Sequence, residues 1–414
     1  MADSSERIVI VGASLAGTQA AQTVRRAGYD GRLFMVGEEP HYPYDRPPLS
    51  KNYLTDADVD EERLRLRPTA DPDALDIEWW LANPAVGLDV EARAVTLADG
   101  ERLDYHGLVI ATGARPRRLP GADDHPDGVV ELRTLDDARA LRAALEVAEA
   151  RVVFCGAGFI GAEVAASARE RGLDVTLIDA APAPLDRVLD RAAGMAVADL
   201  HRSHGVEVRL EVGVAGFEAA AGSNRIEAVV LGDGSTIAAD LVVVGIGVVP
   251  NTEWLARSGL TIDNGVVADE TCLAGPGIVV AGDVARWPNT RFGGGLMRVE
   301  QWDNAVEMGM YAGKRLLSEI GHGSAGEEQP EPFAPVPWFW SDQYDRKIQL
   351  AGLTTDRPEV VQGSIDEQRF VQIYLDADDL LAGALCWNRP RQAIVARQMI
   401  AAGESGDAAR ERLA

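Results

Sequence analysis

Short runs of apolar residues recur along the chain, and each is followed by a turn of small residues and a helical pattern. The clearest two runs occupy residues 8–11 and 152–155. Continuous apolar runs of this length are typical of strands that are buried on both faces of a parallel sheet. The alternation of strands and helices therefore predicts an α/β fold, with helices on both faces of parallel sheets.

The two halves of the chain repeat one plan. Alternating polar and apolar positions follow the first strand–helix–strand unit at residues 86–103, and they follow the second unit at residues 212–237. Asp99-Gly100 interrupts the first of these segments and Asp233-Gly234 the second, and Asp-Gly pairs at such places are typical of hairpin turns. Each half is therefore predicted to hold a strand–helix–strand unit and a small antiparallel sheet.

The pattern changes in the last third of the chain. Residues 304–320 have helical periodicity, whereas residues 321–337 are rich in Gly, Ser, Glu and Pro, as is typical of a linker. Residues 338–402 combine alternating strands with a final helix, which predicts a small α+β domain. Residues 403–414 are expected to be loose.

Two glycine-rich turns of the same design connect these strands and helices. They read GASLAG at residues 12–17 and GAGFIG at residues 156–161. An acidic residue follows each turn at the end of the next apolar strand: Glu38 or Glu39 in the first case, and Asp179 in the second. Such glycines let the backbone approach a pyrophosphate at a helix N-terminus, and the acid accepts hydrogen bonds from ribose hydroxyls. Two such turns predict two dinucleotides, most simply a flavin nucleotide and a nicotinamide nucleotide.

Composition narrows the class of protein. The chain has 414 residues and a formal net charge of -25, which argues against nucleic acid or an anionic membrane as a partner. Residues 241–249 form the longest apolar run, which is too short to span a bilayer. Residues 1–7 lack the features of a signal peptide, so we expect a cytoplasmic protein.

Cysteine and histidine spacing excludes several chemistries. Cys155, Cys272 and Cys386 are far apart in sequence, so no local redox dithiol or zinc knuckle is available. The six histidines have no ligand spacing, and we predict no metal site. No Ser-His or Cys-His motif for nucleophilic catalysis occurs.

Several longer motifs occur in a fixed order. They are the first glycine turn, YPYDRPPLSK at 42–51, ATG at 111–113, the second glycine turn with Glu163, AGDVA at 281–285, RVEQW at 298–302 and PWFWSDQ at 337–343. Through them the chain resembles, over essentially its whole length, the FAD-dependent ferredoxin reductases of bacterial oxygenase systems, which are glutathione-reductase-like flavoproteins. Ser14 departs from the usual middle glycine of the first turn.

The resemblance implies a domain plan and an activity. It implies two Rossmann-like domains and a C-terminal α+β reductase domain: a discontinuous FAD domain at residues 1–114 and 248–326, an inserted NAD domain at 115–247, and the reductase domain at 327–414. The implied cofactors are FAD and NADH. Electrons would pass from NADH through FAD to a 2Fe-2S ferredoxin that feeds a cytochrome P450 or a Rieske-type oxygenase.

The resemblance also implies functional residues. Lys51 would lie beside flavin N5 and pair with Glu163, and these two residues are the predicted catalytic residues. Asp283 would bind the ribityl chain of FAD, and its place after a strand also predicts that it caps the next helix. The predicted cofactor-binding residues are Gly12, Ser14, Ala16, Gly17, Glu38, Arg46, Lys51, Val86, Thr112, Gly113, Arg133, Gly156, Gly158, Gly161, Asp179, Gly247, Asp283, Glu300 and Trp302.

The partner is expected to be a small acidic iron–sulfur protein that docks on a local basic patch of a monomer or weak homodimer. Arg63, Arg65 and Arg67 alternate as in a strand and would then point to one side. The further candidates are Lys314, Arg315, Arg346 and Lys347. For any one of these side chains, a charge that merely balances nearby acids is an equally good interpretation.

Three alternative functions remain. Rubredoxin reductase is the nearest one, and the sequence separates it poorly from ferredoxin reductase. A flavin NADH oxidase or peroxidase would ordinarily need a cysteine near residues 47–51 or the first helix, and none is there. A flavin-bearing signalling or interaction protein would usually carry targeting segments and basic nucleic-acid surfaces, which this acidic chain lacks.

Overall fold

The computed structural model describes residues 6–56, 58–67, 72–120, 126–322 and 330–414. The chain divides into two compact units. The first unit comprises Met1–Asp45, Asp60–Arg115 and Val249–Pro337, and the second comprises Arg46–Val59, Pro116–Val248 and Trp338–Ala414. The three-domain division at residues 114, 248 and 326 stays a prediction, and its boundary at 326/327 lies outside the described residues.

The helices and strands follow the chain in three groups. Up to residue 116 they are β1 (Arg7–Val11), α1 (Leu15–Arg26), β2 (Arg32–Val36), α2 (Asn52–Thr55), β3 (Ile77–Trp80), β4 (Ala85–Asp89), β5 (Ala94–Leu97), β6 (Arg102–Asp104), β7 (Gly107–Ile110) and β8 (Ala114–Pro116).

The middle group begins after residue 126. Its members are β9 (Val129–Glu131), α3 (Leu135–Ala144), β10 (Arg151–Cys155), α4 (Phe159–Glu170), β11 (Asp174–Ile178), α5 (Arg191–Ser203), β12 (Glu207–Arg209), β13 (Val214–Ala219), β14 (Ile226–Leu231), β15 (Thr236–Ala238) and β16 (Leu241–Val244).

The last group runs from residue 248 to the end of the chain. Its members are β17 (Val248–Pro250), β18 (Val266–Val267), β19 (Leu273–Gly275), β20 (Ile278–Val280), β21 (Ala285–Pro288), β22 (Leu296–Met297), α6 (Trp302–Glu319), β23 (Trp338–Gln343), β24 (Arg346–Gly352), β25 (Pro358–Ser364), β26 (Arg369–Leu375), β27 (Leu381–Trp387), α7 (Pro390–Ala402) and α8 (Gly406–Leu413).

The first unit is built on a six-stranded sheet in the order β19-β20-β7-β1-β2-β3. Strand β1 lies at its centre and pairs in parallel with β2 and β7. Its apolar residues are buried because helices cover the sheet, as a continuous apolar strand requires. Helices α1 and α6 pack closely, since a Cβ added at Gly309 would lie 2.5 Å from the Ala16 carbonyl oxygen.

The second unit contains a five-stranded parallel sheet in the order β12-β11-β10-β16-β9. The segment 338–414 adds a five-stranded antiparallel sheet in the order β23-β24-β27-β26-β25. Leu200 of α5 shares a hydrophobic cluster with Phe339 of β23 and Trp387 of β27. The C-terminal segment is therefore packed into the second unit through apolar side chains.

The structure confirms the α/β class and both predicted hairpin turns. Asp99-Gly100 joins β5 to β6, and Asp233-Gly234 joins β14 to β15. The expectation of a loose tail is wrong, because residues 406–413 form helix α8. Ser405 caps this helix, and the Arg410 guanidinium on it bonds the Glu359 carboxylate.

Among the described residues, no helix has the length and apolar character needed to cross a bilayer.

Candidate functional site

The second glycine turn joins β10 to α4 through a backbone that needs glycine. Gly156 has a φ of +107°, and a Cβ there would lie 2.3 Å from the Gly245 carbonyl oxygen. A Cβ at Gly161 would lie 1.9 Å from the carbonyl oxygen of Gly156. The turn therefore brings the N-terminus of α4 close to the end of β10, and the first N–H groups of a helix have no partner within the helix, as a pyrophosphate site requires.

The first glycine turn joins β1 to α1 in the same way. Gly12 has a φ of +124°, and a Cβ there would lie 2.0 Å from the Ala111 carbonyl oxygen. A Cβ at Gly17 would lie 2.1 Å from the Gly12 carbonyl oxygen. Both predicted glycines are thus placed where a larger residue would displace neighbouring backbone.

The middle position of the turn is sterically different, which explains Ser14. Gly158 holds this position in the second turn, and a Cβ there would meet only the Gly245 carbonyl oxygen, at 3.9 Å. Ser14 caps α1 with an extended backbone and a φ of -137°. Because this conformation suits any residue and the space is open, serine fits the turn without distorting it.

The acidic residues after the two turns have different surroundings. The Asp179 carboxylate accepts hydrogen bonds from the backbone N–H of Ala157, at 2.6 Å, and of Ala181, at 2.8 Å. It is therefore fixed against the second glycine turn. Glu38 is exposed at the end of β2, whereas Glu39 accepts a hydrogen bond from the Tyr44 hydroxyl. That Glu38 or Glu39 binds the ribose of a nucleotide stays a prediction.

Several predicted FAD-binding residues lie within the first unit. The Thr112 hydroxyl donates to the Asn251 carbonyl at 2.8 Å, and the adjacent Gly113 has a φ of +65°. Glu300 pairs with the Arg298 guanidinium at 2.6 Å. The Trp302 indole N–H donates to the Asp45 carboxylate at 2.7 Å.

Asp283 does not cap a helix as predicted. It lies inside a single 3-10 turn, Gly282–Val284, and a strand follows this turn at once. Gly282 has a φ of +75° and approaches Ala16 in α1, so the turn lies against the first glycine motif. The predicted contacts of Ala16 and Asp283 with FAD stay predictions.

Buried polar atoms without protein partners occur beside these residues. They are the Thr18 hydroxyl, the Gln301 and Asn304 amide oxygens and Nε of Arg298. Buried polar groups are normally hydrogen-bonded, so these atoms fit a site that a polar ligand completes. The residues of the first unit therefore suit a dinucleotide such as FAD. Gln301 and Asn304 were missed from sequence, although Gln301 lies within the RVEQW motif.

Four further predicted residues are placed apart from this group. Val86 lies on β4 with 53% of its surface exposed, in a separate three-stranded sheet of the first unit. In the second unit, the Arg46 guanidinium donates to the Arg133 carbonyl at 2.5 Å. Gly247 follows β16 with a φ of +102°, and the Arg187 guanidinium lies alongside it.

Within the second unit, the structure brings Lys51 and Glu163 together. Lys51 Nζ donates to Glu163 Oε2 at 2.7 Å, and the Ser50 hydroxyl donates to the same oxygen at 2.6 Å. Glu163 lies on α4 and is only 5% exposed. The Ser341 hydroxyl on β23 donates to Glu163 Oε1 at 2.7 Å. The buried Glu163 carboxylate thus accepts hydrogen bonds from three protein donors, and these bonds offset the cost of burying its charge. Sequence reasoning missed Ser50 and Ser341.

The cysteines are unsuited to redox exchange. All three are buried free thiols. Burial raises the pKa of the Cys155 and Cys386 thiols to about 12 and raises that of Cys272 well above its usual value. A thiol must ionise to attack a disulfide, so these residues are structural.

Among the described residues, no three His, Cys, Asp or Glu side chains come together as metal ligands would.

The predicted basic strand does not form. Residues 61–64 make a 3-10 turn, so Arg63, Arg65 and Arg67 do not alternate along a strand. Asp60 accepts a hydrogen bond from the Glu62 N–H and so favours the turn. Arg65 pairs with Glu62 at 2.9 Å and lies over the Tyr42 ring.

Three of the other four cationic candidates are also paired with acids, whereas Lys314 is exposed on α6. The pairs are Arg315 with Glu319 at 2.9 Å, Arg346 with Asp345 at 2.5 Å, and Lys347 with Asp342 at 2.8 Å. For these residues, local charge balance is the better interpretation.

The two glycine turns, each at the end of a parallel strand and each followed by an acid, define a two-dinucleotide oxidoreductase. A family model for pyridine nucleotide-disulphide oxidoreductases matches residues 6–309, and a reductase C-terminal model matches residues 338–412. The chain belongs to the pyridine nucleotide-disulphide oxidoreductase family and ends in a reductase C-terminal domain.

Individual relatives cover nearly the whole chain. Rhodocoxin reductase of Rhodococcus erythropolis is 41% identical over 397 residues, which span 95% of this chain and 89% of that protein. Putidaredoxin reductase of Pseudomonas putida is 35% identical and spans 96% of this chain and 92% of its own length. The crystal structure of a covalent putidaredoxin reductase–putidaredoxin complex matches with a TM-score of 0.89, at 35% identity, over 97% of this chain and 94% of that chain.

The second glycine turn allows a test with matched variants. Gly156→Ala should lower the free energy of unfolding by about 2 kcal/mol or more, because alanine at positive φ is strained and would also displace Gly245. Gly158→Ala should change it by less than about 0.5 kcal/mol, because the space there is open. Urea unfolding measures both values. Equal losses in the two variants would contradict the described turn.

Proposed function

We propose that the protein is an NADH-dependent ferredoxin reductase. It passes electrons from NADH through FAD to a small 2Fe-2S ferredoxin that feeds a cytochrome P450 or Rieske-type oxygenase. The observation that carries this function is the presence of two dinucleotide turns, one in each unit, together with three buried and unreactive thiols. The relatives named above are reductases of rhodocoxin and putidaredoxin, and the full-length match supports the same role here.

The residues of this chain bind and align the two nucleotides. When bound, FAD would supply the redox chemistry, which is hydride uptake from NADH and release of single electrons to the acceptor. The N-termini of α1 and α4 direct backbone N–H groups toward the two pyrophosphates. Lys51 supplies a positive charge that stabilises the negative charge developing on the reduced flavin. Glu163 holds Lys51 in place and does not itself transfer a proton.

The identity of the electron acceptor is tested most directly by comparing ferredoxins with rubredoxins. The NADH-reduced protein is mixed with candidates of each type in a stopped-flow instrument. Reduction of at least one 2Fe-2S ferredoxin, faster than reduction of any rubredoxin, is the expected result. Preferential reduction of a rubredoxin would favour the alternative reductase. Rapid reduction of oxygen with no transfer to either protein would favour an oxidase.

We also propose that the protein works in the cytoplasm, because free thiols persist in a reducing compartment. The three free cysteines support this location.

Lys51 should control flavin reduction rather than flavin retention. Lys51→Ala should slow NADH-driven reduction at least about tenfold, as expected when a preorganised charge is lost, while the bound FAD stays stoichiometric. Rapid-mixing absorbance at the flavin band measures the rate. Lys347→Ala is the matched control, because this lysine pairs with Asp342 in an exposed ion pair. Normal reduction by Lys51→Ala would reject the role, and loss of FAD would make Lys51 structural.

NADH should be preferred over NADPH. The Asp179 carboxylate is fixed against the second glycine turn, and the 2′-phosphate of NADPH would meet its like charge. The expected ratio of kcat/KM is at least about tenfold in favour of NADH, which corresponds to about 1.4 kcal/mol. Asp179→Asn keeps an acceptor for Ala157 and should narrow this ratio. A kcat/KM for NADPH equal to that for NADH would refute the assignment.

Ferredoxin docking should depend on the exposed arginines of the first unit. Arg63 and Arg67 are both exposed, unlike the partly buried Arg65. Replacing both exposed arginines with Glu should slow ferredoxin reduction and flatten its salt dependence, because docking depends on local potential. Ferricyanide reduction by NADH should stay near normal. Equal loss with both acceptors would show that these residues support folding or coenzyme binding instead.

A further inference from the structure

The buried Glu163 carboxylate is the end of a longer hydrogen-bond network in the second unit. The Ser341 hydroxyl, which donates to Glu163 Oε1, lies 3.1 Å from Nε2 of Gln343. The Gln343 amide oxygen lies 3.1 Å from Nε2 of His201, on α5. Nδ1 of His201 lies 3.1 Å from the Tyr344 hydroxyl. Ser341, Gln343 and His201 are each less than 1% exposed. These three residues are called the Ser341–His201 network below.

The direction of every hydrogen bond in this network follows from the carboxylate. Because the Ser341 hydroxyl donates to Glu163, its oxygen must accept from the Gln343 amide N–H. The Gln343 oxygen then faces His201, whose Nε2 must carry the hydrogen. Nδ1 of a neutral His201 is left to accept from the Tyr344 hydroxyl. All the donated hydrogens therefore point toward Glu163.

His201 is held in the neutral form that this direction requires. Burial lowers the pKa of His201 to about 4, although the Gln343 hydrogen bond opposes the shift. The charged or titratable groups that face His201 and Tyr344 are His204, whose ring stacks on Tyr344, together with Arg169 and Glu170 of α4. Lys51 is the charge that faces Glu163. The histidine therefore keeps one tautomer across the working pH range.

The network does not conduct protons. An amide such as Gln343 retains its hydrogens, so no proton passes from His201 to Ser341. What the network does is orient the Ser341 hydroxyl and stabilise negative charge on Glu163. A donated hydrogen bond stabilises the charged form of a carboxylate.

We propose that Ser341, Gln343 and His201 are positioning residues that hold the Glu163 carboxylate against Lys51, and thereby sustain flavin reduction as the pH is lowered. The proposal rests on the proposed reductase function. Loss of the network weakens the hold of the Glu163 carboxylate on Lys51. The reduction rate then falls at a higher pH than in the native protein.

The chain offers a direct reporter of this effect, because it has only three lysines, Lys51, Lys314 and Lys347. Lysine labelled with ¹³C at Cε gives three signals in the FAD-loaded protein. Lys314→Arg and Lys347→Arg assign two of them and leave Lys51. The Lys51 signal is followed over pH without NADH, so that its inflection at acidic pH reports loss of the Lys51–Glu163 ion pair. The limiting rate of flavin reduction by NADH is measured over the same range.

Ser341→Ala should raise two values by about one pH unit: the pH of the inflection in the Lys51 signal, and the pH below which the reduction rate falls. A shift of this size is the effect of one lost charge-assisted hydrogen bond. His201→Leu should produce a smaller shift in the same direction, because Gln343 loses its donor. His201→Gln restores an N–H near the Nε2 position and should stay close to the native values. Ser203→Ala, also on α5, is the control, because its hydroxyl donates to the Leu200 carbonyl and otherwise lies 3.3 Å from Nδ1 of His204, outside the network.

An unchanged Lys51 inflection in Ser341→Ala would overturn the proposal. Identical shifts in His201→Leu and His201→Gln would also overturn it, because a packing effect would then suffice. Should Ser341→Ala not fold, the two His201 variants decide the matter. Failure of the native protein to reduce any ferredoxin would refute the proposed function instead, and the lysine signals would still show whether the network holds Glu163 against Lys51.

Discussion

The burial of one carboxylate, that of Glu163, constrains much of the second unit. A buried charge is costly unless it is paired and hydrogen-bonded on all sides. Lys51 and Ser50 approach it from the proline-rich loop and Ser341 approaches it from β23. The loop, the coenzyme-type helix α4 and the C-terminal sheet must therefore keep a fixed arrangement, because displacement of any one leaves the charge unsatisfied.

Backbone proximity imposes the second constraint. At both glycine turns, a carbonyl oxygen just after the neighbouring parallel strand, β7 or β16, lies 2.0 or 2.3 Å from where a Cβ would be. The helix therefore begins directly against the sheet. This close packing gives each helix N-terminus a free row of N–H groups. The binding of an anionic nucleotide and the packing of the strand–helix unit thus depend on the same glycines.

Local sequence was sufficient where a short segment determines its own structure. The glycine turns and the Asp-Gly hairpins are of this kind, because positive φ and tight turns require particular residues. It was insufficient where distant residues decide the outcome. Ser341 meets Glu163 across 178 positions, and no local pattern marks it.

The errors have physical causes of the same type. Arg63, Arg65 and Arg67 alternate as in a strand, but the Asp60 side chain bonds the Glu62 N–H and favours a turn. Residues 403–414 were predicted to be loose, but Ser405 caps a helix there and Arg410 pairs with Glu359. In both places the local structure is determined by side-chain hydrogen bonds, to the backbone or to a remote strand, and not by the pattern of residue types along the chain.

We propose that Lys51 and Glu163 act together, as one ion pair, in flavin reduction. A double-mutant cycle tests it most directly, with the limiting rate of FAD reduction by NADH measured for Lys51→Met, Glu163→Gln and the double variant. The account predicts that the double variant is no slower than Lys51→Met alone, because Glu163 acts only through Lys51. Losses that multiply in the double variant would contradict it, since the two residues would then act independently.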